Sequence, residues 1–134
     1  MARGGQGSDC NPAEAKTRLQ DAREFLELAS LKADDNSRAA QKAAAANAVL
    51  AGIAAADAIC CVRLGRRSSS SNHDDAVRLL AEVDGALARH LAVLIEIKTP
   101  SQYGTSLLNK DKVIRAMRAA SELVSAAERI VGSR

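Results

Sequence analysis

The sequence predicts an all-α fold, an up-and-down four-helix bundle with a short extra helix allowed for, and three observations carry that expectation. Apolar residues recur at alternating steps of three and four along most of the chain, the period of one helical face. Alanine is abundant, whereas tryptophan is absent and phenylalanine and tyrosine occur once each. The aromatic residues that strands favour are therefore scarce, and small side chains let helices approach closely. Clusters of glycine, proline, serine and asparagine cut the periodic stretches into helix-length pieces. A chain of 134 residues fits one domain with a real core.

Residues 1–10 hold three of the eight glycines and no apolar run. They are expected to be a disordered leader ahead of a single domain at 11–134. The first helix is predicted to open at Asn11, an N-cap followed by Pro12 at the first helical position and Glu14 at the third. Its stripe is Leu19, Ala22, Leu26, Ala29 and Ala33, with Phe25 beside it. Asp34, Asp35, Asn36 and Ser37 interrupt the pattern and supply the next cap. The second helix carries Ala43, Ala46, Val49, Leu50, Ile53, Ala56, Cys60 and Leu64. It is apolar around much of its girth, as a central bundle helix should be, and Gly65 stops it. The third helix is predicted over residues 73–98 on Val77, Leu80, Val83, Leu87, Leu91 and Leu94, with Asn72 as its cap and Gly85 as a weak point. Residues 99–106, containing Pro100 and Gly104, read as a loop. The fourth helix runs from near Asn109 to Val131 on Val113, Met117, Ala120, Val124, Ala127 and Val131, widened by Ile114 and Leu123. Short connections make neighbouring helices antiparallel.

A formal net charge of +3 argues only faintly for a polyanionic partner. The most apolar segment, residues 49–62, is broken by Gly52 and Asp57, so no stretch is expected to reach the roughly 20 apolar residues of a membrane span. Three cysteines give no disulfide framework: Cys60 and Cys61 are adjacent in a helix and diverge, and Cys10 lies in the leader. The expectation is a cytoplasmic protein with reduced, mostly buried thiols. No metal set and no cofactor motif is present in the sequence. Lys16, Arg18, Arg23, Lys32, Arg38 and Lys42 alternate with acids and read as solvated faces.

Chemistry is concentrated between the second and third helices, in Leu64-Gly65-Arg66-Arg67 and the serine run leading to Asn72 and His73. Arg63, Arg66 and Arg67 crowd the negative end of the second helix. His73, one of two histidines, sits at the positive mouth of the third, near those guanidiniums. Both influences disfavour a second proton, so the imidazole is expected to be largely neutral at physiological pH. Asp57 is the other outlying residue, a carboxylate among alanines that requires a partner. Candidates are Arg63, Arg66 or Arg67, from the same chain or a second copy. Asp57 either orients an active-site arginine or histidine or is a boundary residue in a structural ion pair.

An arginine, four to six residues and a histidine across a helix junction of a small all-helical domain resembles the HEPN superfamily. Arg67 with five intervening residues fits, as does Arg66 with six, and the continuation His73, Ala76, Leu79, Leu80 extends the likeness. The resemblance implies a metal-independent endoribonuclease of toxin or defence type, working as a homodimer on RNA. On this chain its arginine role falls to Arg67 or Arg66 and its proton-handling role to His73, with Asp57 and Arg63 in support. A separate antitoxin or nucleotidyltransferase-like protein is the implied partner. The alternative is a non-catalytic helical module that docks a protein or holds a small anion between Arg66, Arg67 and His73. His90 reads as a surface or satisfied histidine. Lys98 and Tyr103 are expected at the opposite end of the bundle from His73.

Overall fold

In the computed structural model, which describes residues 8–69, 73–102 and 109–132 and gives only the backbone of 99–102, the chain is all-α apart from one two-residue ladder. The order is β1 (Ser8–Asp9), α1 (Pro12–Ala33), α2 (Arg38–Leu64), β2 (Arg66–Arg67), α3 (His73–Ala81), α4 (Gly85–Gln102) and α5 (Lys110–Gly132). Residues 1–7, the expected cap Asn72, the serines Ser70 and Ser71, and the loop residues Tyr103 and Gly104 lie outside the described residues.

The helix ends follow local chemistry. Asn11 Oδ1 accepts from the Glu14 amide while the Glu14 carboxylate accepts from the Asn11 amide, each at 2.9 Å, a reciprocal capping box. Ser37 Oγ accepts from the Ala40 amide at 3.1 Å to start α2. Gln41, buried at the α1–α2 corner, donates from Nε2 to the carbonyls of Ala33, at 3.3 Å, and Asp35. Gly65 ends α2 in the left-handed region at φ 73°, a conformation that costs other residues a Cβ clash.

α1, α2, α4 and α5 form the four-membered bundle, with α2 packed on the other three and α3 laid against α4 and α2. The core is unusually alanine-rich: Ala15, Ala22, Ala44, Ala48, Ala51, Ala55 and Ala120 are fully buried, as are Ile59, Leu80, Leu91, Leu94 and Leu123. Gly52 marks the tightest approach. A methyl group there would collide with Leu94 Cδ1 and lie 3.2 Å from Leu123 Cδ1, so α4 and α5 close on α2 where its side chain is missing.

Five expectations need correction. The predicted third helix is two helices, because Asp84 caps a new start: its Oδ1 accepts from the amides of Ala86 and Leu87 at 2.8 and 3.0 Å. α4 then continues through Pro100 to Gln102; so near the helix end the proline removes one backbone hydrogen bond without ending the helix. Ser8 and Asp9, expected within a disordered leader, pair antiparallel with Arg67 and Arg66. Cys10 is bonded to Cys61, not free; their Cα atoms, 5.6 Å apart, lie at ordinary bridging distance. α2 is long and apolar enough by length and composition to cross a membrane, because alanine keeps it apolar through Gly52 and Asp57. Most of it is buried inside the bundle.

Candidate functional site

Asp57 sits on the inner face of α2, and the folded chain brings two arginines to it from different elements. Arg18 of α1 donates from Nε to Asp57 Oδ2 at 3.0 Å, and its second guanidinium nitrogen lies at the same distance. Arg67 of β2 reaches the same oxygen at 3.8 Å. Arg18 also holds Asp21 at 2.9 Å. The carboxylate is nearly buried, at 7% exposure. Desolvation raises its pKa above the ordinary value, against the opposing pull of Arg18, Arg67 and His73.

His73 opens α3 at the rim of this cluster, partly buried. Its pKa is lowered as the sequence led one to expect, but by a different cause. Burial contributes most and the Lys98 ammonium next, while the carboxylates of Asp57 and Asp74 pull the other way. Lys98 therefore acts on His73 within one chain, contrary to its expected place at the far end. The turn at Glu82-Val83-Asp84 is the reason: it sends α4 back along α3, so the far part of α4 returns toward the start of α3.

The two motif arginines part company. Arg67 turns inward to Asp57, whereas Arg66 pairs with Glu82 of the α3–α4 turn at 3.3 Å. Since neighbouring residues of an extended segment point to opposite sides, one arginine of the pair faces the carboxylate and the other the turn. Arg63 is exposed on the last turn of α2. Six positions beyond Asp57 it lies about 240° around the helix, which removes it from the expected support of that residue.

The backbone carrying Arg66 and Arg67 is held from three directions. The Gly65 amide donates to the Cys61 carbonyl at 3.0 Å, the Cys10 amide donates to the Gly65 carbonyl at 3.1 Å, and Ser8 and Asp9 pair alongside. The Cys10–Cys61 bridge closes this arrangement covalently. Ser68, next in line, has a buried hydroxyl with no hydrogen-bond partner among the described residues. Cys60 is free and buried beside Asp57, its thiol pushed up to about 12 chiefly by desolvation.

Arg18 and Lys98 were missed as site residues, yet each carried a signal. Arg18 stands three after buried Ala15 and four before buried Ala22, and Lys98 four after buried Leu94, so both sit in line with the apolar stripes. A cavity of about 550 Å³ lies elsewhere, between the end of α1 and the start of α5, lined by Ala33, Lys110, Val113, Ile114, Met117 and Arg118. No metal-ligating cluster occurs among the described residues. A guanidinium, a second cation and an imidazole biased toward neutrality are groups that can bind an oxyanion and exchange a proton. The chain matches no protein-family model, and the comparison with curated proteins gives no match.

Proposed function

We propose that the chain is a metal-independent endoribonuclease of the HEPN type, active as a homodimer in the cytoplasm, with Arg67 and His73 as its catalytic residues. The observation that carries the reading is the pairing of Arg67 with the buried carboxylate of Asp57, whose charge His73 also feels. Arg67 fills the motif role in preference to Arg66, which is engaged with Glu82. On binding RNA, Arg67 turns from Asp57 to the scissile phosphate, and the Lys98 ammonium adds positive potential. Neutral His73 takes the proton of the ribose 2′-hydroxyl as O2′ attacks phosphorus. The P–O5′ bond breaks, O5′ takes up a proton from water while the imidazolium formed at His73 returns its proton to solvent, and a 2′,3′-cyclic phosphate remains. Asp57 fixes the resting position of Arg67 and, with Arg18, is a positioning group. A separate antitoxin or nucleotidyltransferase-like protein is the partner that would restrain this activity.

With so few aromatic side chains, recognition falls on phosphate and not on stacked bases. The test is cleavage of single-stranded RNA by the purified protein in EDTA. Arg67→Ala and His73→Ala are each expected to lower the rate on the order of a hundredfold, and Arg66→Ala by much less. Equal rates in wild type and both variants would refute the reading. A second reading, a non-catalytic module that captures an anion, draws on the carboxylates already paired with Arg66 and Arg67. It is distinguished by oligonucleotide binding that Arg66→Ala and Arg67→Ala weaken without any cleavage in the wild type.

A further inference from the structure

Among the described residues, the N-terminal segment meets the site at the strand that carries Arg66 and Arg67. Ser8 lies opposite Arg67 and Asp9 opposite Arg66, and the Cys10 amide binds the Gly65 carbonyl at 3.1 Å. A ladder of two residues per strand is far too short to persist unaided. Its persistence depends on the bond between Cys10 and Cys61, which anchors β1 one helical turn ahead of Gly65.

The bundle makes no such demand. Its core is drawn from α1 to α5, and Cys10 is only partly buried at its edge. Breaking the bridge leaves the helices packed and affects chiefly the segment from Gly65 to Arg67 and the strand beside it. Cys10 is also the reachable half, since Cys61 is buried. The neighbouring Cys60 takes no part: buried and with its thiol pushed up to about 12, it has almost no thiolate with which to attack the bridge.

We propose that the Cys10–Cys61 disulfide is a redox latch on this site: closed, it fixes the strand bearing Arg66 and Arg67 for phosphate binding; open, it releases β1 and the arginines lose their placement. The regulatory part rests on the proposed nuclease reading; the structural part does not. Opening is a thiol–disulfide exchange with a cellular dithiol. One reductant thiolate attacks Cys10 Sγ and Cys61 leaves as thiolate. The second reductant thiol then displaces Cys10, so two electrons and two protons reach the protein and the reductant becomes a disulfide. Because the closed bridge is the form that holds the arginines in place, oxidation is the activating signal.

The experiment compares full-length protein purified without reductant, the same protein after dithiothreitol, Cys10→Ser and Cys60→Ser. Three readouts are taken: amide hydrogen exchange of the 64–69 segment, binding of a cleavage-resistant 2′-fluoro oligonucleotide, and RNA cleavage. Reduction is expected to speed exchange at Arg66 and Arg67 about tenfold and to weaken binding and cleavage roughly tenfold. Exchange in the α2 and α5 cores should stay far slower than in this segment. Cys10→Ser should match the reduced protein with or without dithiothreitol, and Cys60→Ser should respond as wild type. Two alkylatable thiols at Cys10 and Cys61 before reduction, unchanged exchange after complete reduction, or stronger binding by the reduced form would each overturn the latch. Faster exchange and weaker binding with no cleavage in either form upholds the latch and refutes the nuclease reading instead.

Discussion

Replacing Asp57 by asparagine keeps the shape of the side chain and removes a charge that its surroundings desolvate. Because burial outweighs the arginines and raises the pKa, ionised Asp57 costs the folded state more than its partners return at neutral pH. Asp57→Asn is therefore expected to keep or slightly raise thermal stability at pH 7 while, under the proposed nuclease function, slowing RNA cleavage, since Arg67 loses its rest. A variant that loses stability and activity in parallel would make the residue merely structural. Arg18→Ala does the opposite to the pair, leaving the carboxylate buried without its closest donor. It should cost roughly 2 kcal/mol in urea unfolding, the range of a charge-assisted hydrogen bond. Asp57 was legible in the sequence because a lone carboxylate among alanines is conspicuous. Arg18 was not, because its alternation with acids along the first helix reads as a solvated face and outweighed its alignment with Ala15 and Ala22.

An element built largely of alanine packs by proximity and not by bulk, and Gly52 is where α2 depends on this most. A Cβ there meets the δ carbon of Leu94, which has no solvent to move into. Overpacking of this kind costs about 1–3 kcal/mol, while alanine regains about 1 kcal/mol of helix propensity over glycine. Gly52→Ala is thus expected to be net destabilising by roughly 1 kcal/mol, and Gly52→Val by more. A stabilised Gly52→Ala protein in denaturant titration would show that α4 does not close on α2 in this way. The same alanine content blurs the reading of faces: Leu50 and Ile114, assigned to stripes, are exposed, while Ala44, Ala51 and Ala55 fill the interior. Helix ends were legible wherever capping chemistry was local, at Asn11, Ser37 and Gly65. The break at Asp84 was not, because Leu80, Val83 and Leu87 keep helical spacing across the turn. Missing it hid the return of Lys98 to His73.

At the scale of the whole molecule, a bundle follows from periodicity alone, but the tie between Cys10 and Cys61 joins positions 51 residues apart and has no local signature. Closing a loop of that length constrains the unfolded chain by about 4 kcal/mol on the chain-entropy account. The pH dependence of stability is another global property, set here by two groups of opposite sign. His73 has a folded pKa below 6.5, so its contribution to stability is fully present above pH 6.5 and is lost as pH falls through the folded value. Asp57 has a folded pKa above 3.8, so its contribution is fully present below pH 3.8 and is lost as pH rises through the folded value. Between pH 8 and 5 the histidine should make the wild type less stable on acidification, and His73→Gln should flatten that part of the slope. Any advantage of Asp57→Asn at pH 7 should shrink as pH falls toward 3.8, where the native carboxyl is neutral as well. Melting temperatures of the three proteins across this range, at constant ionic strength, separate the two contributions. A His73→Gln curve parallel to the wild type down to pH 5 would mean that the imidazole is as readily protonated in the fold as in water, and the proton acceptor assigned to it would be lost.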